Sequence, residues 1–324
     1  MMPVSDRLRV VILNYGNAAA TGACARAVLS QSYRPLDVVV VDNFSSDAVR
    51  DELRRILPAG VHLLCNPCNT GYAAGNNAGC RTTTLPRPEY FAILNNDVML
   101  TDQECLRKLV DAFAEKEVVA VSPLVDTRSA RLPSTEQAQV RRIPDYATCL
   151  VAYSWWLSRI PMLSRYYSRH IYESRFPWQR NSVYDCESIN GSCFVVRADF
   201  LESIGYLDEG TFLYFEEVIL GSQIRRRGRR CALVTAVSVE HYQGLATGQR
   251  GAVLRWSMYQ HSMKSQLHYC RHHLGVGSLA CLLLRMVRLI DYGSKLLVRG
   301  VLRVVRMGRV RVSEARPKLS DEKP

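Results

Sequence analysis

Continuous runs of aliphatic, mostly β-branched residues, each followed by a helix-like stretch, set the tightest limit on what this chain can become. VVIL (10–13) leads into an Ala-rich segment ending at Gln31, and VVVV (38–41) leads into a charged stretch ending at Leu57. VHLLC (61–65), GYAAGNNAGCR, YFAIL (90–94) and VVAVS (118–122) continue the rhythm. Strands that are apolar at successive positions are buried on both faces, and helices between them supply the cover. The expectation is an α/β fold with a mostly parallel sheet and helices on both faces. Thr101 with Glu104 three residues later reads as a capping box, which predicts a helix starting near Thr101 directly after the YFAIL strand.

From about Asp126 to Asp185 the rhythm stops. Trp155, Trp156, Tyr166, Tyr167, Tyr172 and Trp178 lie among arginines, with Pro144, Pro161 and Pro177 as breakers. This stretch reads either as an insertion facing acceptor or membrane, or as a helical subdomain with an aromatic core. A second ordered block follows: CFVV (193–196), a helix toward Gly205, YFEEVILGSQIRRRG, and two strands, CALV (231–234) and VSVEH (237–241). Beyond it, Leu279–Arg306 turns into a basic amphipathic helix. At about 100° per residue, Arg285, Arg288, Lys295, Arg299, Arg303 and Arg306 share one narrow arc, and leucines, valines, Met286 and Ile290 fill most of the rest. Charge interrupts it too often for a simple spanning helix, so an interfacial helix on anionic lipid is the expectation, against a helix packed on the domain with its basic stripe in water. Residues 1–250 are expected to form one catalytic domain, with the aromatic-rich insertion at about 126–185, and residues 251–324 a basic, membrane-associated helical region.

Composition narrows the setting. With 324 residues, 48% of them hydrophobic, the chain can bury a full core. The opening MMPVSDRLRV has no charged region followed by a long apolar one, so no secretion is expected. Eleven cysteines scattered from Cys24 to Cys281 suit a reducing compartment; Cys65 and Cys68 form a CxxC without a second pair at zinc-ribbon spacing. A net charge of +12 calls for an anionic partner. Nucleic acid is not expected, because no helix-turn-helix, zinc-finger or RNP signature is present and much of the charge lies in the C-terminal helix.

In open parallel sheets, ligands bind beyond the carboxyl ends of strands. Here those ends carry Leu13, Asn14 and Tyr15; then Asp42 and Asn43; then Asn95, Asn96 and Asp97. A carboxylate at Asp42 can accept the imide N–H of a uracil or thymine base, Tyr15 can stack on it, and Asp97 can hold Mg²⁺ or Mn²⁺ against a diphosphate. Each residue alone also reads as a turn or helix-cap residue.

VDNFSSD (41–47), CNTGYAAGNNAG (68–79) and LNNDV (94–98), in that order, resemble family 2 inverting glycosyltransferases of the Rossmann-like GT-A fold, especially the rhamnosyltransferase-like branch. NGSCFVVRADFLESIGYLDEGTFLYFEEVILGSQIRRRG resembles that branch's acceptor-side signature, so the likeness spans about Arg9 to Gly248. By this resemblance Asp97 is the second aspartate of a DxD-like metal motif in which Asn95 replaces the first, and His241 is the later histidine that approaches the metal or diphosphate. Gly71, Tyr72, Gly75, Asn76 and Asn77 fall beside the donor. Glu217 stands where the family has its catalytic-base aspartate, and Ile219 where a further acid is usual. Either Glu216 or Glu217 is the base, or activity is impaired.

The implied activity is inverting, metal-dependent sugar transfer from a dTDP- or UDP-sugar, such as dTDP-rhamnose, to a lipid-linked saccharide in bacterial cell-surface polysaccharide synthesis. The protein is then peripheral on the cytoplasmic face of the inner membrane. A sugar nucleotidyltransferase and a degenerate nucleotide-binding relative are the alternatives. Arg225–Arg230 reads as a phosphate contact or as a solvated charged face.

Overall fold

The computed structural model describes residues 6–127, 141–170, 181–242 and 256–314, with side chains of the last helix described as far as Arg299. Tyr172, Trp178 and the far end of the family likeness lie outside these residues, as do the side chains of Arg303 and Arg306.

β1 (Leu8–Asn14), β2 (Leu36–Asp42), β3 (Val61–Cys65) and β4 (Tyr90–Asn95) form the parallel half of one sheet, joined by α1 (Ala18–Leu29), α2 (Asp47–Ile56) and α3 (Gly71–Cys80). β6 (Val118–Thr127) and β9 (Arg230–His241) pair in parallel over the longest ladder. Between the halves runs β8 (Cys193–Arg197), antiparallel to both neighbours, giving the order β3-β2-β1-β4-β8-β6-β9. Short β5 (Val98–Met99) and β7 (Val183–Cys186) add antiparallel pairs to β9.

Side-chain alternation divides the core. Leu8, Val10, Ile12, Val38 and Val40 face α1 and α4 (Cys105–Asp111), whereas Val11, Val39 and Val41 face α3, α7 (Ala198–Ser203) and α8 (Glu216–Arg226). Burial on both faces is why these strands read as continuous apolar runs. Gly79 lets α3 lie close to the sheet: a Cβ there would come within 2.6 Å of Val11. Gly75 does the same against Leu13.

Two local expectations are corrected. No helix starts at Thr101: β5 follows β4, and α4 begins at Cys105, with Asp102 Oδ1 accepting the Glu104 N–H and Gln31 Oε1 the Leu106 N–H. A side chain distant in sequence therefore satisfies a helix-start donor that a capping box would otherwise serve. CALV and VSVEH are one strand, β9, with a register shift against β6 between Pro123 and Leu124.

The described part of the aromatic stretch is helical: α5 (Tyr146–Ala152) and α6 (Pro161–His170). Cys149 of α5 shares one apolar cluster with Phe215, Val218, Ile219, Tyr269, Cys270 and Leu284, so these helices pack with α8, α9 (Trp256–His268) and α10 (Ser278–Glu314). Trp155, Trp156 and Tyr166 are half-buried and Tyr167 is exposed, so they lie at the margin of this cluster.

The orientation of α10 corrects the picture of a purely outward basic stripe. Arg288 is buried, its guanidinium on the Tyr153 carbonyl and 4.6 Å from the Tyr259 ring centre. Asp291 is also buried, accepting from the Trp155 N–H at 2.6 Å, the Tyr259 hydroxyl at 3.0 Å and Lys295 Nζ at 2.7 Å. A buried carboxylate needs such partners, and satisfying it turns this side of the helix inward. The opposite side, including Leu279, Leu282, Leu283, Met286, Ile290 and Leu297, is exposed. Among the described residues no helix is long and apolar enough to cross a membrane.

Candidate active site

The register places the expected polar residues along one sheet edge: Asn14 pairs with Asp42, Leu13 with Asn95, and Val98 beside Asp97 with His241. The Asn95 N–H donates to Ser192 O at 2.9 Å, bringing the turn before β8 to the same edge. Tyr72, at the start of α3, donates its hydroxyl to Gly191 O in that turn. Glu217 lies against the turn, its Oε2 3.7 Å from where a Cβ on Gly191 would stand. One edge thus gathers Leu13, Tyr72, Asn95, Asp97, Gly191, Glu217 and His241.

Several expected donor ligands are instead internal struts. Asp42 is fully buried, with Oδ1 accepting from Asn14 Nδ2 at 2.8 Å and Oδ2 from the Ser45 N–H at 3.1 Å and Arg50 Nε at 2.9 Å. Burial pushes its pKa up, but hydrogen bonds from Ser45, Arg50 and Asn14 outweigh it and hold the carboxyl below its ordinary value. A carboxylate so enclosed has no open face for a base imide, which corrects that expectation. Asn14 Oδ1 accepts from Thr21 at 2.7 Å and Asn96 at 3.2 Å. Asn43 holds Asn66, Asn69, Thr70 and Gly71. Asn76 and Asn77 are fully buried; Asn77 clamps Leu207 through both its backbone groups and meets Glu209 at 2.8 Å. Neither amide reaches out to a donor in this structure. Gly71 is required: its φ is +84°, and a Cβ would meet Phe212 O at 2.4 Å.

What stands open at the first two strand ends is aromatic. Tyr15 and Phe44 are each 51% exposed, on adjacent loops, and Phe44 has a left-handed backbone with φ 68°. Phe44 was missed in the sequence because an aromatic after a strand carries no signal of exposure.

The other end of the site has unmet polar groups. Asp97 is buried, and its Oδ1 lies 3.1 Å from His241 Nε2 without hydrogen-bond geometry, finding no donor among the described residues. A buried carboxylate oxygen and an imidazole nitrogen aimed at each other without a bond fit a shared divalent cation. Tyr214 and Phe215 both have left-handed φ, 74° and 75°, immediately before α8. Such non-glycine strain costs about 1–3 kcal/mol per residue and persists where surrounding structure enforces it. It aims the first turn of α8, Glu216 and Glu217, at the sheet edge. Glu216 is buried, one oxygen without a partner among the described residues; burial first, then the neighbouring Glu217, push its pKa to about 8. Burial therefore favours the neutral form of Glu216, while Glu217 remains partly exposed. Ile219 is buried in the Phe215–Tyr269 cluster, so its departure from the acidic pattern falls in packing.

The model for Glycosyl transferase family 2 matches residues 9–188, more than half of the chain. The protein belongs to glycosyl transferase family 2. It is a nucleotide-sugar glycosyltransferase with a rhamnosyltransferase-like sequence. A low-salt glycan biosynthesis hexosyltransferase, Agl10 of Haloferax volcanii, is 25% identical over 241 residues, covering 72% of this chain and 67% of the relative. N-acetylglucosaminyl-diphospho-decaprenol L-rhamnosyltransferase of Mycobacterium tuberculosis is 24% identical over 260 residues, covering 76% and 79%. Among solved structures, GalNAc-T7 with UDP, GalNAc and Mn²⁺ superposes with a TM-score of 0.58 at 14% identity, over 84% of this chain but 48% of that one. The mannosyltransferase PcManGT of Pyrobaculum calidifontis, in complex with GDP-Man and Mn²⁺, gives 0.54 at 16% identity, over 92% and 80%. These likenesses establish the GT-A fold.

A cavity of about 720 Å³, lined by Phe113, Lys116, Arg197 and Arg229 among others, lies at the opposite edge of the sheet. In Arg225–Arg230, Arg230 is paired with Asp185 and Glu115, and Arg225 is solvated 3.6 Å from Glu187. The charged-face reading fits both residues.

Proposed function

We propose that the protein transfers a sugar with inversion from a dTDP- or UDP-sugar to a lipid-linked saccharide in bacterial cell-surface polysaccharide synthesis, rhamnose from dTDP-rhamnose being the specific expectation. The observation that carries this reading is the division between two adjacent acids: Glu216 buried with an unpartnered oxygen, Glu217 partly exposed at the Gly191 turn. Glu217 takes the proton of the acceptor hydroxyl as that oxygen attacks the anomeric carbon. The bond from that carbon to the diphosphate oxygen breaks, and the nucleoside diphosphate leaves with the electron pair. Glu216, kept neutral, limits negative charge beside the leaving diphosphate. Tyr15 and Phe44 hold the base by stacking, and Leu13, Tyr72 and Asn95 line the sugar side.

Asp97 and His241 are the residues that would hold Mg²⁺ or Mn²⁺, which when bound neutralises charge developing on the diphosphate. PcManGT and GalNAc-T7 are each described with Mn²⁺, which supports a divalent cation here. The Mycobacterium tuberculosis relative, named for a diphospho-decaprenol acceptor, supports a lipid-linked one. An acceptor of that kind lies at a membrane. The exposed leucine face of α10, flanked by exposed Arg285 and Arg299, suits the cytoplasmic face of an anionic inner membrane.

The test is nucleoside-diphosphate release from UDP-, dTDP- and GDP-sugars with Mg²⁺ or Mn²⁺, membrane lipid extract as acceptor and Asp97→Ala as control. Metal-dependent release from one donor, lost in the variant, is expected. Nucleotide binding without release across the panel would mark a degenerate relative. Sedimentation with phosphatidylglycerol vesicles, lost in Leu282→Glu/Ile290→Glu, is expected of α10; unchanged sedimentation removes the membrane from this reading.

A further inference from the structure

Away from Asp97, a second set of metal-binding groups converges on one carboxylate. Asp208, His268 and His273 each offer one ligand atom, all within 4.8 Å of one another. His273 Nε2 stands 2.6 Å from Asp208 Oδ2 and His268 Nε2 3.0 Å from the same oxygen. All three side chains are mostly buried, and Oδ1 is oriented by the Gly210 N–H at 2.8 Å.

The backbone is built to make this meeting possible. In an α-helix, residues five apart point about 140° away from each other, so His268 and His273 would face different directions. Here Tyr269–His273 is a π turn closed by the Leu274 N–H donating to Tyr269 O at 3.1 Å, which returns the second histidine to the face of the first. Such turns are rare and concentrate at functional sites. On the other side, a Cβ on Gly210 would lie 2.0 Å from His268 Cε1, so the loop admits the imidazole only because glycine stands there.

We propose that Asp208, His268 and His273 bind a zinc ion, separate from the donor-site cation. Two imidazoles and a carboxylate are a borderline-soft set that favours Zn²⁺ over Mg²⁺ or Ca²⁺. Ligand bonds of about 2.0–2.2 Å require only a small spreading of the three groups, with the remaining tetrahedral position open to water. The ion acts as a positioning element. The loop it grips carries Leu207 and Glu209, which hold Asn77, and Phe212, whose carbonyl takes the Tyr72 N–H at 2.8 Å. The zinc thus ties the donor-side helix α3 to α9, next to the helix whose leucine face is exposed.

The experiment uses the full chain carrying Asp97→Ala, so that the donor-site ligand is absent. After chelation and reconstitution, elemental analysis is expected to find about one tightly held Zn²⁺ per chain, and Co²⁺ in its place to give the visible absorption of a four-coordinate nitrogen and oxygen site. His268→Gln and His273→Gln, each checked for a cooperative melt, are expected to lose the ion, the cobalt band and the rise in Tm that Zn²⁺ gives the parent. Zinc retained by both folded variants overturns the proposal. So does a reconstituted Asp97→Ala chain without zinc or cobalt band, which marks the trio as a hydrogen-bonded clamp. Neither outcome depends on which sugar the enzyme transfers.

Discussion

At the carboxyl ends of β1 and β2, the buried polar side chains are saturated: Asn14, Asp42 and Asn43 each hold partners from other elements. Around the end of β4 and the start of α8, Asp97 and Glu216 each keep a buried oxygen without a partner among the described residues. Buried polar atoms are ordinarily satisfied, so the two unmet carboxylate oxygens are where the proposed proton and cation sites are to be tested. Asn14, Asn43 and Asn77 fix loops on the donor side, whereas Asn76 meets only Tyr72 O in its own helix and keeps Oδ1 without a partner among the described residues.

The contrast breaks most visibly at Glu217. Glu217→Gln should lower kcat by about a thousandfold while leaving the thermal midpoint and donor KM near wild type, read by steady-state nucleoside-diphosphate release. A loss confined to stability would place Glu217 with the scaffold. Asp42→Ala should do the reverse, costing about 3 kcal/mol in urea denaturation because Asn14, Ser45 and Arg50 lose their common acceptor. Full stability with a failed donor KM would return Asp42 to the ligand-binding set.

Glu216 sharpens the comparison through pH. The folded chain keeps the Glu216 proton up to about pH 8, while the unfolded chain releases it near the ordinary 4.5, so this group makes stability fall as pH rises through that window. Glu216→Gln removes the fall. Its unfolding free energy should gain on wild type by on the order of 2 kcal/mol between pH 5 and 8, measured by urea titration at each pH. An unchanged difference across the window would mean that Glu216 is ionised in the fold. The smallest effect is expected at the exposed rings: Tyr15→Ala and Phe44→Ala should each raise donor KM about five- to tenfold with little change in kcat, the scale of one lost stacking contact.

Legibility followed the range of the interactions. The parallel half of the sheet was readable because burial on both faces leaves a local mark, as in VVVV and YFAIL. Asp97 and His241 were readable as a resemblance, and the register of β5 on β9 brings them together. Asp42 misled because a strand-end aspartate has the same local pattern whether it faces a ligand or an arginine eight residues on. The capping box at Thr101 misled because Asp102 takes the Glu104 N–H and Gln31, from just past α1's far end, takes the Leu106 N–H. In α10 the helical period was plain, yet which side turned inward depended on Asp291 finding the Trp155 N–H and Tyr259.

By itself, then, the sequence determined the α/β class, the sheet edge that gathers the candidate residues and the family, because apolar period and ordered motifs are properties of short segments. Only the tertiary structure decided which acid is buried, which asparagines are struts, which face of α10 stays open and that Asp208 meets two histidines. Burial and partner choice are set by groups far apart in the chain, and no local pattern records them.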